Sequence, residues 1–217
     1  MIKGCIFDLD GVIVDTAQHH FQAWRRLARE LGTDLTETQN ERLKGVSRIE
    51  SLELILQWGG IELSEAEIKQ QTIRKNEWYV DQIKHMDKHE ILDGVLPFME
   101  SVKAAGCMIA LGSASKNAGM VLDILDIRKY FTSIIDGNKT TRSKPDPQVF
   151  EMAAAEMGLK PEECIVFEDA EKGIEAAIKG GFKAVGIGKK EVLTEADLVI
   201  PNFIGRDLNS ILADLNN

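Results

Sequence analysis

No apolar run in these 217 residues approaches the roughly 20 residues that a helix needs to cross a bilayer. The first residues lead straight into a strand-like stretch without the charged, apolar and small-residue pattern of a signal peptide. A cytoplasmic protein with no membrane partner is therefore expected. Cysteine is scarce. Cys5, Cys107 and Cys164 form an odd total at unrelated spacings, each in or beside an apolar run, so a disulfide framework and a zinc site are excluded and reduced core thiols are expected. Basic residues are the minority, 26 against 35 acidic for a net charge of -9, which denies the chain the basic face that nucleic acid or an anionic membrane would require. A local basic pocket for a small anion is still allowed. Internal repeats, low-complexity tracts and heptads are also missing. The length permits one well-buried core with a smaller appended unit, and a monomer handling a small molecule is expected.

What the chain does have is FDLDGVIVDT over residues 7–16, which places Asp8 and Asp10 directly after an apolar run (residues 2–7) and before Gly11. A strand should end there. Carboxylates at the carboxyl end of a buried first strand sit where open α/β sheets place their ligands, and Gly11 lets the backbone turn sharply. One aspartate can attack a phosphorus or hold a cation while the other moves a proton. Taken alone, the pair reads equally as an acidic turn.

Further along, Ala17, Phe21, Trp24, Leu27, Ala28 and Leu31 recur at helical spacing, predicting an amphipathic helix over residues 17–31 that stops at Gly32. Residues 35–88 carry helical patterns near 36–43, at 49–58 and after the capping box Ser64-x-x-Glu67. Gly59-Gly60 and Gly94 with Pro97 punctuate this block, which reads as a compact helical insertion between flexible joints. From residue 95 strands and helices alternate. Strands are expected at 107–111, 164–167 and 183–187, with weaker candidates at 133–135 and 198–200. Helices are expected at 116–125, 147–157 and 171–179, with Asp146 as N-cap, Pro147 as first helical residue and Gly180-Gly181 as a stop. The fold class that follows is α/β, a doubly wound parallel Rossmann-like sheet with an inserted small helical unit.

In such a sheet the strand ends open on one edge, and three more clusters fall there. Ser113-Ala114-Ser115-Lys116-Asn117 follows the strand ending at 111 and offers donors to phosphate oxygens, although Ser115 reads equally as an N-cap. Lys144 stands before a helix, against the dipole, where a nearby anion or plain solvation would accommodate it. Glu168-Asp169 follows the strand ending at 167. Facing Asp8 and Asp10, this acidic pair would repel unless a cation joins them, and hard oxygen ligands favour magnesium, Mg2+; a solvated acidic loop is the other reading.

Asp8-x-Asp10, Ser113, Lys144 and Glu168-Asp169, in this order and spacing, resemble the motifs of the haloacid dehalogenase superfamily of phosphoryl-transfer enzymes. The resemblance implies a core domain of residues 1–15 and 95–217 and a helical cap of residues 16–94 closing over the site. Leu43-Lys44-Gly45-Val46-Ser47-Arg48 with Ser51, Asp15-Thr16 with His20 and Trp24, Arg74-Lys75-Asn76, and the Ser113 to Asn117 cluster resemble more particularly the branch that interconverts β-D-glucose 1-phosphate and β-D-glucose 6-phosphate. That branch implies a phosphosugar partner and β-glucose 1,6-bisphosphate as intermediate. By resemblance Asp8 is the nucleophile, and Mg2+ is held by the Asp8 carboxylate, the Asp10 backbone carbonyl and Glu168 or Asp169. Lys144 neutralises charge and Asp10 is the acid and base, positioned by Thr16 and His20, for which core or helix-start roles are equally open. Trp24, Lys44, Gly45, Val46, Ser47, Ser51, Lys75, Ser113, Ala114, Ser115 and Asn117 fall on substrate-binding positions, and Ser113 on a catalytic one as well. Arg48 and Lys116 are candidates for a distal phosphate, with the guanidinium better suited to a multidentate grip. Trp24 fits the apolar stripe of its helix, and His85 and His89 receive no role. A sugar-phosphate or phosphoglycolate phosphatase and a non-catalytic phosphosugar-binding regulator are the competing readings.

Overall fold

The short apolar runs pair side by side because each buries both faces. In a computed structural model, which describes residues 1–216, they form β1 (Gly4–Phe7), β2 (Met108–Gly112), β3 (Ser133–Ile135), β4 (Cys164–Glu168), β5 (Lys183–Ile187) and β6 (Leu198–Ile200). All pairings are parallel, in the order β3-β2-β1-β4-β5-β6, so the sheet reverses its winding between β1 and β4. Side chains alternate across it as a pleat requires. Cys5 and Phe7 join the apolar cluster on one face with Ile165 and Phe167, while Ile6 joins the cluster on the other face with Cys164 and Val166. Phe7 stacks on Phe167 at 4.8 Å, and each such ring removed from water contributes about 1.5–3 kcal/mol. The three cysteines are free, as expected.

Helices α1 (Ala17–Glu30), α2 (Glu37–Glu41), α3 (Arg48–Gly59) and α4 (Glu65–Ile83) follow β1. The Ser64 capping box opens α4, with Glu67 Oε2 accepting the Ser64 backbone N–H at 2.8 Å. Trp24, Leu27, Leu35, Leu52, Ile55 and Leu56 form a separate apolar cluster among these helices. The far end of α4 belongs elsewhere: Tyr79 and Ile83 pack into the cluster of the sheet with Leu9, Val12 and Ile13.

Helices α5 (Val95–Ala104), α6 (Ala118–Ile124), α7 (Gln148–Glu156), α8 (Glu171–Lys179) and α9 (Leu208–Leu215) cover the sheet. Four features depart from the sequence expectation. α5 and α9 were not anticipated; Pro97 lies in the first turn of α5, where a missing N–H removes no helical bond. α6 starts two residues later than the pattern suggests, after Asn117, and Ser115 is not its N-cap. α7 starts at Gln148 rather than Pro147, although Asp146 Oδ1 still accepts the Gln148 N–H at 3.0 Å. Gly94, read as a loose joint, has φ +84° and sits so close to Phe203 and Ile204 that a Cβ would collide with their backbone.

The two chain crossings between sheet and helical insertion are paired with each other. Val14 bridges Ile91 in antiparallel fashion, Asp15 N–H donates to Glu90 O at 3.0 Å, and Leu92 N–H donates to Ile13 O at 2.9 Å. Among the described residues no helix is long and apolar enough to cross a membrane.

Candidate active site

The end of β1 fixes the first aspartate. Asp8 N–H donates to Phe167 O at 3.0 Å, which carries the β1–β4 pairing one residue past the strand and holds Asp8 at the point where the winding reverses. The chain then turns at Gly11, φ +79°, where a Cβ would collide with the Asp169 carboxylate. Only glycine brings the two acidic segments this close.

Lys144 reaches into this corner from the loop before α7. Its Nζ donates to Asp8 Oδ1 and to Glu168 Oε1, each at 2.6 Å, and its side chain is 1% exposed. The dipole of α7 is therefore answered by two carboxylates rather than by solvent. Burial opposes the charge on Lys144, but Asp8 and Glu168 outweigh it and hold the ammonium above the ordinary lysine range. Asp8 is pushed well above the usual carboxylate range by burial, against the pull of Lys144 and with the charge of Glu168 adding to the rise. Glu168 Oε2 accepts the Ala170 N–H at 2.9 Å, and Gly173 leaves the room its side chain fills.

Asp8, Glu168 and Asp169 offer carboxylate oxygens that all lie within 4.8 Å of one another. Burial and the charge of Glu168 push Asp169 up to about 7, opposed by Lys44, whose Nζ donates to Asp169 Oδ2 at 3.0 Å. With Asp10, four carboxylates meet two ammonium groups here, a formal excess of two negative charges. This all-oxygen set, in which burial first and the charge of Glu168 in addition raise Asp8 and Asp169, fits a hard divalent cation.

Asp10 is served by a second group. Thr16 Oγ1 donates to Asp10 Oδ1, and His20 Nε2 lies 3.9 Å from the same oxygen. His20 Nδ1 is 2.8 Å from Nζ of the buried Lys75, which in turn lies 4.4 Å from the centroid of Trp24. Burial first and neighbouring cations second push both His20 and Lys75 well below their usual ranges. Asp10 is raised by its enclosure, with the Thr16 hydroxyl opposing.

A cavity of about 300 Å³ connects these groups to the insertion. Asp8, Asp10, His20, Trp24, Lys44, Gly45, Val46, Ser47, Arg48, Ser51, Lys75, Ala114, Ser115, Lys116, Lys144 and Asp169 line it. The side chains of Arg48 and Lys116 make neither hydrogen bond nor ion pair among the described residues. Trp24 both lines the cavity and packs, at 4% exposure. Ser47 caps α3, accepting the Glu50 N–H at 3.3 Å, and Ser51 Oγ donates to Ser47 O at 2.9 Å.

Other expected residues stand behind the wall. Ser113 is fully buried and its Oγ accepts the Ser115 N–H at 3.1 Å; Thr16 and Glu168 are likewise buried. Asn117 Nδ2 donates to Asn76 Oδ1 at 2.8 Å, joining α4 to the start of α6. Sequence reasoning missed Thr140, Thr141 and Arg142, which also line the cavity. They follow β3, so the strand-end rule that found the other clusters would have found them. It also missed Tyr79, which reads in sequence as one more apolar position.

A doubly wound parallel sheet that gathers an aspartate pair, a buried lysine and a second acidic pair at its reversal point defines an α/β enzyme of phosphoryl groups. The chain belongs to the haloacid dehalogenase-like hydrolase family, whose sequence profile matches residues 2–181. It is 40% identical over 201 residues to a beta-phosphoglucomutase of Bacillus subtilis (strain 168), covering 92% of this chain and 89% of that protein. A fructose-1-phosphate phosphatase of Escherichia coli (strain K12) is 31% identical over 190 residues, with 85% and 95% covered. Among solved structures, a beta-phosphoglucomutase from Clostridium difficile superposes with a TM-score of 0.96 at 40% identity, covering 100% of this chain and 98% of that one.

Proposed function

We propose that this protein interconverts β-D-glucose 1-phosphate and β-D-glucose 6-phosphate through a phosphorylated Asp8 and β-glucose 1,6-bisphosphate. The observation that carries the reading is one cavity with two positive poles, Lys144 against Asp8 and the uncommitted cations of Arg48 and Lys116. Such a cavity suits a sugar that carries a phosphate at each end, and holding the second phosphate is how a mutase favours sugar over water as acceptor.

Lys144 occupies Oδ1 of Asp8, which leaves Oδ2 for attack. The bond from Oδ2 to phosphorus forms, the bond from phosphorus to the sugar oxygen breaks, and Asp10 gives its proton to that oxygen. In the second half the free 6-hydroxyl of β-glucose 1-phosphate returns a proton to Asp10 and takes the phosphoryl group, which frees the Asp8 carboxylate and forms the bisphosphate whose C1 phosphate the first half removes to leave glucose 6-phosphate. The raised pKa of Asp10 suits it to carry that proton. Asp8, Glu168 and Asp169, with the Asp10 backbone carbonyl, would hold Mg2+, whose contribution when bound is to neutralise charge on the phosphoryl oxygens. Residues 16–94 act as a cap that shuts water out while the remaining residues form the catalytic core. All of these groups come from one chain, so a monomer suffices.

The test is a coupled assay of glucose 6-phosphate formation from β-glucose 1-phosphate, primed with the bisphosphate and run beside an assay of phosphate release. The expected result is rapid isomerisation with little release, abolished in Asp8→Asn. Release in place of isomerisation would instead establish a sugar-phosphate phosphatase, the second reading, which the likeness to the fructose-1-phosphate phosphatase favours.

A further inference from the structure

Proton transfer at Asp10 depends on how Thr16 and His20 hold it, and both meet a residue that the scheme above leaves without a task. Tyr79 of α4 is fully buried, and its ring stacks on His20 with centroids 4.0 Å apart and planes at 22°. Its centroid lies 5.0 Å from Lys75 Nζ on the same helix. Its hydroxyl closes no hydrogen bond of acceptable geometry, although Thr16 lies beside it.

These contacts divide the work of orienting an imidazole. The torsion that turns a histidine ring about its Cβ–Cγ bond is broad, so a single hydrogen bond does not fix the plane. Lys75 fixes one atom: an N–H of its Nζ donated to Nδ1 makes that nitrogen the acceptor, which puts the proton of a neutral ring on Nε2, the nitrogen that faces Asp10. The Tyr79 ring fixes the plane, since an offset stack allows little tilt. Packing explains neither the stack nor the hydroxyl, because any large apolar side chain would fill the volume. An unpaired buried hydroxyl is costly, and here it stands next to the oxygen of Thr16 that donates to Asp10. Donation from Tyr79 to that oxygen would leave the threonine proton directed at the carboxylate.

We propose that Tyr79 is the positioning residue for Asp10, its ring setting the plane of His20 and its hydroxyl setting the direction of Thr16. The inference rests on the mutase reading for its kinetic consequence but not for its spectroscopic one. Tyr79→Phe keeps the stack and removes the hydroxyl, whereas Tyr79→Leu removes both. Expected mutase kcat falls are about 5-fold for Tyr79→Phe and about 50-fold for Tyr79→Leu, short of the roughly 100-fold or more that complete loss of a well-placed acid and base costs, with KM within about 2-fold. Phosphorylation of Asp8 by acetyl phosphate should stay within about 2-fold of the parent protein, because acetate leaves without needing a proton. Long-range proton–nitrogen spectra of the imidazoles should show His20 in a single Nε2–H tautomer in the parent protein and a mixture in Tyr79→Leu, where a ring free to turn no longer keeps Nδ1 against Lys75.

Equal losses with β-glucose 1-phosphate and acetyl phosphate would reduce Tyr79 to a packing residue and overturn the proposal, as would an unchanged kcat in Tyr79→Phe. If Tyr79→Leu fails to fold, the Tyr79→Phe arm decides alone. Should the parent protein form no glucose 6-phosphate, the mutase reading falls, and the tautomer spectra still decide the positioning role.

Discussion

Replacing Lys144 with methionine keeps the length of the side chain and removes only the ammonium that joins Asp8 to Glu168. Both contacts are 2.6 Å long, and the Lys144 and Glu168 side chains are each 1% exposed. Removing one partner of a buried ion pair costs about 3–5 kcal/mol, which in a chain of this size lowers Tm by about 6–20 °C. The pH dependence has a definite sign. Lys144 is held above the ordinary lysine range, so its contribution is complete below that range and is lost only as pH rises past it; between pH 5 and 8 it is constant. What varies is the acid left behind. At pH 5 a proton can take the place of the ammonium on Asp8, already pushed up by burial, whereas rising pH removes that proton and leaves a buried charge unpaired. Calorimetric scans of the parent protein and Lys144→Met without metal, at pH 5 and pH 8, measure the difference. The deficit should be larger at pH 8. A loss below about 2 °C at pH 8, or a larger deficit at pH 5, would refute the argument that Lys144 neutralises buried acids.

Three further predictions concern the same cavity. Asp169, pushed up to about 7 by burial and Glu168, adds stability to the metal-free protein that is complete below the ordinary carboxylate range and lost as pH rises through about 7. A cation needs Asp169 ionised, so Mg2+ affinity should rise between pH 6 and 8 with proton release; identical calorimetric heats in two buffers of different ionisation enthalpy would contradict this. Lys44 competes with a cation for Asp169, and Lys44→Met should tighten Mg2+ binding about 5-fold, corresponding to about 1 kcal/mol for a partly exposed pair. Weaker binding in a titration would show that Lys44 supports the metal site instead. Arg48→Ala should lower mutase turnover about 100-fold, the worth of one or two charge-assisted hydrogen bonds, and leave acetyl phosphate hydrolysis nearly intact; equal losses would remove the distal-phosphate role.

The strands were legible because parallel strands covered on both faces become continuous apolar runs, and five of the six were bounded to within a residue. α5 was hidden by Pro97, which looks like punctuation unless the helix is known to start at Val95. Asp8, Lys144 and Asp169 could be found without coordinates because one topological rule brings every strand end to the same edge. Contacts made by the insertion obey no such rule. Lys44 meets Asp169 across 125 positions, and Tyr79 meets His20 through the packing of α4 on α1. Neither partner could be chosen from spacing alone.

The paired crossings at residues 13–15 and 90–92 limit what the helical insertion can do. Two crossings bonded to each other at three adjacent residues each hold together as one narrow joint. For any movement of the insertion, that joint favours a nod toward and away from the sheet edge over a swivel. Lys44, Arg48 and Asn76 would then leave and regain their stations together, so that one displacement decides whether the whole set is in register.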